Sequence, residues 1–417
     1  MLTHSLSIKK GAIIAYRLYD IAHEINLKEA QSILESTENT AQNVKRFQLK
    51  KDSLRSIVFK EAPLAINGGE EKFEIKINAK VKYNLSGRLE LKIWNYGVLS
   101  LSYTITLPED LPWTDLTKIG AILDSDSIID TLSIKKRDEI ISTIGKSLKN
   151  PHTHSIFEDY TTYLIEDLLT SEKNKQTGLV EKKSIKYPME VLRTAGVAEL
   201  LLAEPSKTLS ESTHKQIQSN YSQYTKQDLL VMDWNSALVL DFGVEKDYQD
   251  YVDLLEFSLA QLLELRIYDE LLDEKLDELY ESMDKKQYNK VTEFYSKLSE
   301  DSWHLYMEFS DFFEKLDNSI KTASDVYLAK VLKNADKKFG FDELKKSMSR
   351  KIEALSNISK LCQEKVNSTI DTQRNNTSHR LEWIVIILIS IELIPTLYKS
   401  VPEFYFKITE YISSLIH

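Results

Sequence analysis

The sequence predicts an α+β chain: a small antiparallel-sheet head, a long helical bundle or coiled-coil region, and a carboxyl-terminal membrane helix. Three observations carry this. From Phe73 to Tyr83, Leu89 to Ile93 and Leu99 to Leu107 apolar residues recur at every second position, the period of half-buried strands. From Tyr248 to Ile370 proline is absent and glycine occurs only at Gly340, amid Leu, Glu, Lys and Asp, which is long-helix composition. From Trp383 to Ile391 nine residues carry no charge, bracketed by Glu382 and Glu392.

Taken in order, Ala12 to Tyr19 suits a buried strand, and Asn26-Leu-Lys-Glu29 opens a helix through Leu34. Phe73, Ile75, Ile77, Ala79, Val81 and Tyr83 then share one face of a strand. Asn84-Leu-Ser-Gly87 supplies turn chemistry, after which Leu89, Leu91 and Ile93, then Leu99, Leu101, Tyr103, Ile105 and Leu107, resume the period. Gly97 marks a bulge or a close backbone approach. Pro108 and Pro112 close this sheet domain, residues 1–112.

A mixed, mainly helical middle region spans residues 113–245. Trp113 to Leu148 reads as helix, Asn150-Pro-His-Thr-His154 as a loop before a further helix through Leu169, and residues 171–184 as polar and exposed. Tyr187 to Ala203 is helical, Pro205 to Gln218 a loop and helix, and Asp228 to Asp241 a strand pair or a buried segment. Residues 246–380 form the bundle or coiled-coil stalk. There Leu254, Leu255, Leu259, Leu262, Leu263, Leu271, Leu272, Leu276 and Leu279 make an apolar stripe wide enough for a bundle. Turns near Asp284–Lys286 and Lys338–Phe341 divide it into about three antiparallel helices.

Residues 381–417 are read as a membrane anchor and amphipathic tail. The 18 residues from Leu381 to Tyr398 reach ~27 Å as a helix, against a bilayer core of ~30 Å. About eleven Leu, Ile and Val residues at roughly -0.3 to -0.6 kcal/mol each outweigh roughly +2.5 to +3.5 for Glu392, while Glu382 lies at the edge and Trp383 suits the interface. The anchor and oligomer contacts are therefore assigned to Leu381, Glu382, Trp383, Ile386, Ile389 and Glu392. Glu392 needs a partner in lipid, which self-association supplies. Arg374 and Arg380 mark the cytosolic side. Pro395 and Pro402 bend the chain before an aromatic tail that lies in the interface or returns as a re-entrant helix. A helix buried in a soluble core or an oligomer seam is the alternative.

At 417 residues the chain exceeds a single core of ~250–300 residues. Its net charge of -10 provides no basic field, so direct nucleic-acid binding is not expected. Cys362, the single cysteine, excludes an internal disulfide and fits a reducing compartment. Arg17 and Asp20 interrupt the first apolar run and no small-residue cleavage site follows, so the bulk of the chain is expected in the cytosol.

Leu381-Glu-Trp-Ile-Val-Ile-Ile-Leu-Ile-Ser-Ile-Glu392, the helical Leu265-Arg-Ile-Tyr-Asp269 and Trp94-Asn-Tyr-Gly-Val-Leu99 resemble the required-for-meiotic-nuclear-division family, a domain of unknown function. The resemblance covers roughly residues 90–395 in scattered pieces, and its Leu-Glu-Trp and apolar run is the most specific part. It implies an α+β head, a helical region and one carboxyl-terminal membrane helix. It also implies homo-oligomers and, for mitochondrial members, an inner-membrane location and support of organelle translation. No catalytic residues come with it. Ser100-Leu-Ser-Tyr-Thr-Ile stands where the family strand usually continues into an aromatic-glycine pair.

Chemical motifs are incomplete. Gly145-Lys146-Ser147 lacks the phosphate-loop glycine, with Ile140 in its place. Asp124, Asp126 and Asp130 begin like a calcium loop, but Ile129 replaces its glycine and Lys135 its glutamate, so helix capping is the simpler role. His23-Glu24 is followed by Leu27 where a zinc protease needs histidine, leaving an ordinary helix-face residue. His152 and His154, near Glu158 and Asp159, hold the residue types of a zinc or iron site without fixing its geometry, and solvated loop histidines are the alternative. Asp233-Trp234-Asn235 reads as a packed turn. Together these readings favour a non-enzymatic, membrane-anchored oligomeric scaffold with no cofactor and an unidentified protein partner. The alternatives are a metal-dependent enzyme using the His152/His154 loop, or a soluble oligomer with the carboxyl-terminal helix as its seam.

Overall fold

The computed structural model describes residues 6–36, 44–46, 62–78, 81–125, 127–173, 180–205, 208–244, 246, 248–284, 291–320 and 326–415, the last with side chains through Ile391. It divides into two compact units, Met1–Leu272 with Asp311–Ser349, and Asp273–Ser310 with Arg350–His417.

The first unit is built on β1 (Leu6–Asp20), which leads into β2 (Ala22–Ile25) and α1 (Leu27–Ser36). Asn26 Oδ1 accepts the Glu29 amide at 3.3 Å, capping α1 where the sequence places its start. Next come β3 (Val44–Arg46), β4 (Leu64–Lys76), β5 (Lys82–Ile93) and β6 (Val98–Thr106). The alternation through Phe73 and Tyr83 is two strands rather than one: Ile75 pairs with Tyr83 across a hairpin, and Asn78 Oδ1 accepts the Val81 amide at 2.9 Å. Cross-strand partners share a face, so the two-residue period passes through the turn unbroken. Ala79 lies outside the described residues. Asn84 to Gly87 is correspondingly strand, with a Cβ at Gly87 falling 2.7 Å from the Phe73 ring. Gly97, at φ +104°, sits in the tight turn joining β5 to β6.

Pro112 does not end the sheet, because β7 (Leu111–Pro112) pairs with β1. After α2 (Trp113–Ser125), α3 (Ile128–Ile144) and β8 (Leu148–Pro151) comes β9 (Phe157–Lys173), where the sequence suggests a helix. β9 lies between β1 and β13 in the middle of the sheet. A central strand covered on both faces loses the two-residue alternation, and its Tyr and Thr content favours strand. β10 (Val180–Ser184), α4 (Pro188–Thr194), α5 (Val197–Leu201), α6 (Glu211–Ser219), β11 (Tyr221–Ser222), β12 (Asp228–Met232) and β13 (Ser236–Asp241) complete the head. The strand order is β11-β12-β13-β9-β1-β6-β5-β4-β3 in an 11-stranded sheet, antiparallel except where β13 joins β9. The head is thus a large antiparallel-rich sheet, not a small one.

One face follows the alternation closely. Leu89, Leu91, Ile93, Leu99, Leu101, Tyr103 and Ile105 are buried in a core shared with Leu27 and Leu34 of α1, Trp113 and Leu116 of α2, Ile140 of α3, Val191 of α4 and Val197 of α5. The helical region comprises α7 (Tyr248–Asp284), α8 (Val291–Ile320), α9 (Val326–Phe339) and α10 (Phe341–Leu415). Gly340, at φ +72°, makes the predicted break between α9 and α10. Among the described residues the region holds four helices rather than about three, and no glycine or proline stands in the sequence between α8 and α9.

In the second unit Leu276, Leu279, Leu298, Leu355, Ile358, Cys362 and Val366 are buried at helical spacing. The hydroxyls of Ser299 and Ser359 each donate to the other's carbonyl at 3.1 Å, tying α8 to α10. Beyond Ile370 every described side chain of α10 is exposed. The helix carries on through Pro395 and Pro402 to Leu415, their side chains lying outside the described residues.

Candidate functional site

Two places in the molecule hold residues that ordinary packing leaves unexplained. The first is on α10. Leu381 is 57% exposed and Trp383 65%, Ile386 and Ile389 51% each, and Ile384, Val385, Ile387, Leu388 and Ile391 are also at least half exposed. Successive residues point all round a helix, so this segment is apolar and bare on every side. Ser390, the polar exception, donates its hydroxyl to the Ile386 carbonyl at 2.8 Å. The exposed Glu382 lies 3.1 Å from His379. Glu392 belongs to α10, but its side chain lies outside the described residues. Ten exposed residues, 371–380, precede the apolar run, about 15 Å of helix. Among the described residues no helix is long and apolar enough to cross a membrane. The stretch weighed in the sequence, Leu381 to Tyr398, runs past Ile391, where described side chains end.

The second place lies under α7. The outer face of the sheet carries Arg88, Glu90 and Lys92 at alternate positions of β5. The register sets Lys92 beside Ser100 and Glu90 beside Ser102. α7 covers part of this face: Lys92 Nζ donates to Asp253 at 3.0 Å and to Glu256 at 2.7 Å, and Ser100 donates to Glu256 at 2.5 Å. Burial favours the neutral amine of Lys92, but the charges of Glu256, Asp253 and Glu90 outweigh it and hold the pKa above its ordinary value. Burial raises Asp253 and Glu90 in spite of Lys92. Further along α7, burial and then the charge of Asp20 push the Glu264 carboxyl well above the usual range. Its Oε1 and the Tyr96 hydroxyl have no hydrogen-bond partner among the described residues. The sequence did carry a signal for this cluster. Asp253, Glu256 and Glu264 sit inside the leucine stripe, at spacings that return to one helix face.

Where α7 begins, the outer face stays open as a cleft of about 300 Å³, lined by Lys10, Arg88, Glu90, Glu166, Tyr248 and Glu256 among others. Lys10 pairs with Glu166 at 2.7 Å.

Of the two weaker segments of the family resemblance, one packs against α7 and the other lies within it. The Trp94 ring lies 5.8 Å from Tyr96 and 5.8 Å from Phe257 of α7. Tyr268 bonds His23 Nδ1 at 2.8 Å; His23 is on β2, so it is a strand residue and not on a helix face. Arg266 pairs with Glu158 and lies 4.9 Å from the centre of the exposed Trp234 ring. Burial pushes Glu158 up to about 7 against the pull of Arg266.

The loop histidines do not share a site. His152 Nε2 is 2.7 Å from Asp20 and its Nδ1 3.0 Å from the Asn150 carbonyl. His154 Nδ1 accepts the Ile156 amide at 3.2 Å, while its Nε2 is 3.7 Å from Glu270. Among the described residues no group of three His, Cys, Asp or Glu side chains is placed to hold a metal ion. Gly145–Ser147 is a single 3-10 turn ending α3. Asp130 pairs with Arg17 at 2.5 Å, Asp124 lies in α2, and Asp126 is outside the described residues. Ser127 stands at the start of α3 without a side-chain cap. Asp233 makes the expected packed turn between β12 and β13, its amide donating to Ser236 O at 2.8 Å and its carboxylate accepting from Lys338 at 2.6 Å.

Residues 10–245 match the family described as "Uncharacterized protein MJ0711, N-terminal domain", more than half of the chain, and the chain belongs to that family. It is similar to the uncharacterized protein MJ0711 of Methanocaldococcus jannaschii, 23% identical over 266 residues, which is 64% of this chain and 74% of that protein. No solved structure matches it. The match takes in nearly the whole sheet and stops before α7.

Proposed function

We propose that the chain is a non-enzymatic, membrane-anchored oligomeric scaffold, in which Leu381 to Tyr398 enters a bilayer and the sheet head meets a protein partner on the cytosolic side. The observation that carries this reading is the bare run from Trp383 to Ile391. Fully burying an Ile, Leu or Val side chain stabilises by roughly 1.5–3 kcal/mol, so leaving seven of them in water costs on the order of 10 kcal/mol. A bilayer recovers that cost on every side of the helix at once. The internal bond of the Ser390 hydroxyl suits lipid, which supplies no hydrogen-bond partner. The resemblance to the required-for-meiotic-nuclear-division family points the same way, since it implies one carboxyl-terminal membrane helix and homo-oligomers.

The test is carbonate and detergent fractionation of the full-length chain beside a version ending at Arg380. The anchored scaffold requires that only the full-length chain resist carbonate and need detergent. If both stay soluble and the shorter chain alone is monomeric, the segment is an oligomer seam and the anchor is refuted.

A further inference from the structure

We propose that the cleft at the start of α7 binds a small organic cation, a primary amine whose ammonium is held by the carboxylate of Glu90. The cleft and the wall behind it carry four carboxylates, Glu90, Glu166, Asp253 and Glu256, against three cations, Lys10, Arg88 and Lys92. Intramolecular pairs take up three of the four carboxylates. Lys10 is taken by Glu166, and Lys92 by Asp253 and Glu256. Glu90, half-buried on the floor of the cleft, has no hydrogen bond or ion pair to its carboxylate among the described residues. Its neighbour Ser102 directs its hydroxyl to the Glu90 carbonyl instead, at 3.3 Å.

A half-buried carboxylate beside two others is costly unless a cation or a proton joins it. Burial, joined by the charges of Glu256 and Asp253, holds Glu90 toward its protonated form against the pull of Lys92. A cation from solution relieves the same repulsion and leaves the carboxylate ionised. Among the described residues no three carboxylates converge as a metal ion would require, and the 300 Å³ of space lies at the lower end for small-molecule pockets. Both favour an organic ammonium over a bare ion. The hydroxyls of Thr104 and Thr106 line the same cleft and are available to its remaining N–H groups. Arg88, which has no carboxylate partner among the described residues, competes with the ligand for Glu90.

The experiment is calorimetric titration of 1,4-diaminobutane into the full chain in nonionic detergent, at ionic strength matched with sodium chloride. Saturable binding of one equivalent is expected. Glu90→Gln should weaken it by about tenfold or more, the scale of a lost charge-assisted hydrogen bond, and Arg88→Gln should tighten it. Glu139→Gln, on an exposed stretch of α3, should leave it unchanged, which separates the site from general attraction to an acidic protein. Arg88 is exposed, so its variant keeps the test valid even if Glu90→Gln perturbs folding. Absence of saturable binding, equal affinity in Glu90→Gln, or weaker binding in Arg88→Gln would each overturn the proposal.

Discussion

The ammonium of Lys92 lies 2.7 Å from the carboxylate of Glu256, and their side chains are only 4% and 2% exposed. Removing one member of such a set strands the others. Lys92→Met should cost about 3–5 kcal/mol, because Asp253 and Glu256 would be buried without a counter-charge. Urea denaturation checks this, and adding Asp253→Asn and Glu256→Gln to Lys92→Met should restore most of the loss.

Gly97→Ala should also be severe. At φ +104° a side chain is strained, and a Cβ here would fall 1.8 Å from the Ala22 carbonyl oxygen. That carbonyl cannot recede without pulling β2 from the turn, where the Ile25 amide donates to the Asn95 carbonyl at 2.8 Å and the Ile21 amide to the Gly97 carbonyl at 3.0 Å. A loss of more than about 2 kcal/mol is expected, read as a lower urea midpoint.

Glu264 should make the fold lose stability as pH rises. Its carboxyl is raised in the folded state, so the unfolded chain releases its proton first, near pH 4.5. From there up to the folded pKa each pH unit favours unfolding by up to about 1.4 kcal/mol. Glu264→Gln should remove that slope, seen by denaturation between pH 5 and 8.

His152 also has a raised pKa, chiefly through its hydrogen bond to Asp20. Its contribution is fully present below the unfolded value near 6.5 and is lost as pH rises through the folded one. The ring is part-exposed, so solvent screening keeps the effect under about 1 kcal/mol. His152→Gln should flatten that step, and histidine proton NMR should find the ring titrating above 6.5.

Ile386→Asp with Ile389→Asp should release the full-length chain from membranes. Each central acid costs roughly 2.5–3.5 kcal/mol on an insertion scale, enough together to cancel the gain from the apolar run. Retained carbonate resistance would show that these positions do not face lipid.

Much of the fold was legible because its signals are local. Leu89 to Ile93 and Leu99 to Ile105 alternate and form the core-facing side of β5 and β6; Asn26 caps α1; Gly340 ends α9. The errors have one source. The turn between β4 and β5 was hidden because Ile75 and Tyr83 face each other, and β9 resembled a helix because a strand covered on both faces has no alternation. The candidate site was legible only in part. The bare segment of α10 was visible as a run of letters, while nothing local to Glu90 and Lys92 marks what packs over them.

The sequence by itself determined the apolar period of the sheet, the long helices and the uncharged run from Trp383 to Ile391, since each depends on residues within a few positions of one another. Only the tertiary structure decided the fate of the outer sheet face. Lys92 and Asp253 lie 161 residues apart, and no local pattern reveals that α7 will cover one strand position and leave its neighbour open. Whether a charge is solvated or buried depends on what packs over it, and what packs over it comes from elsewhere in the chain.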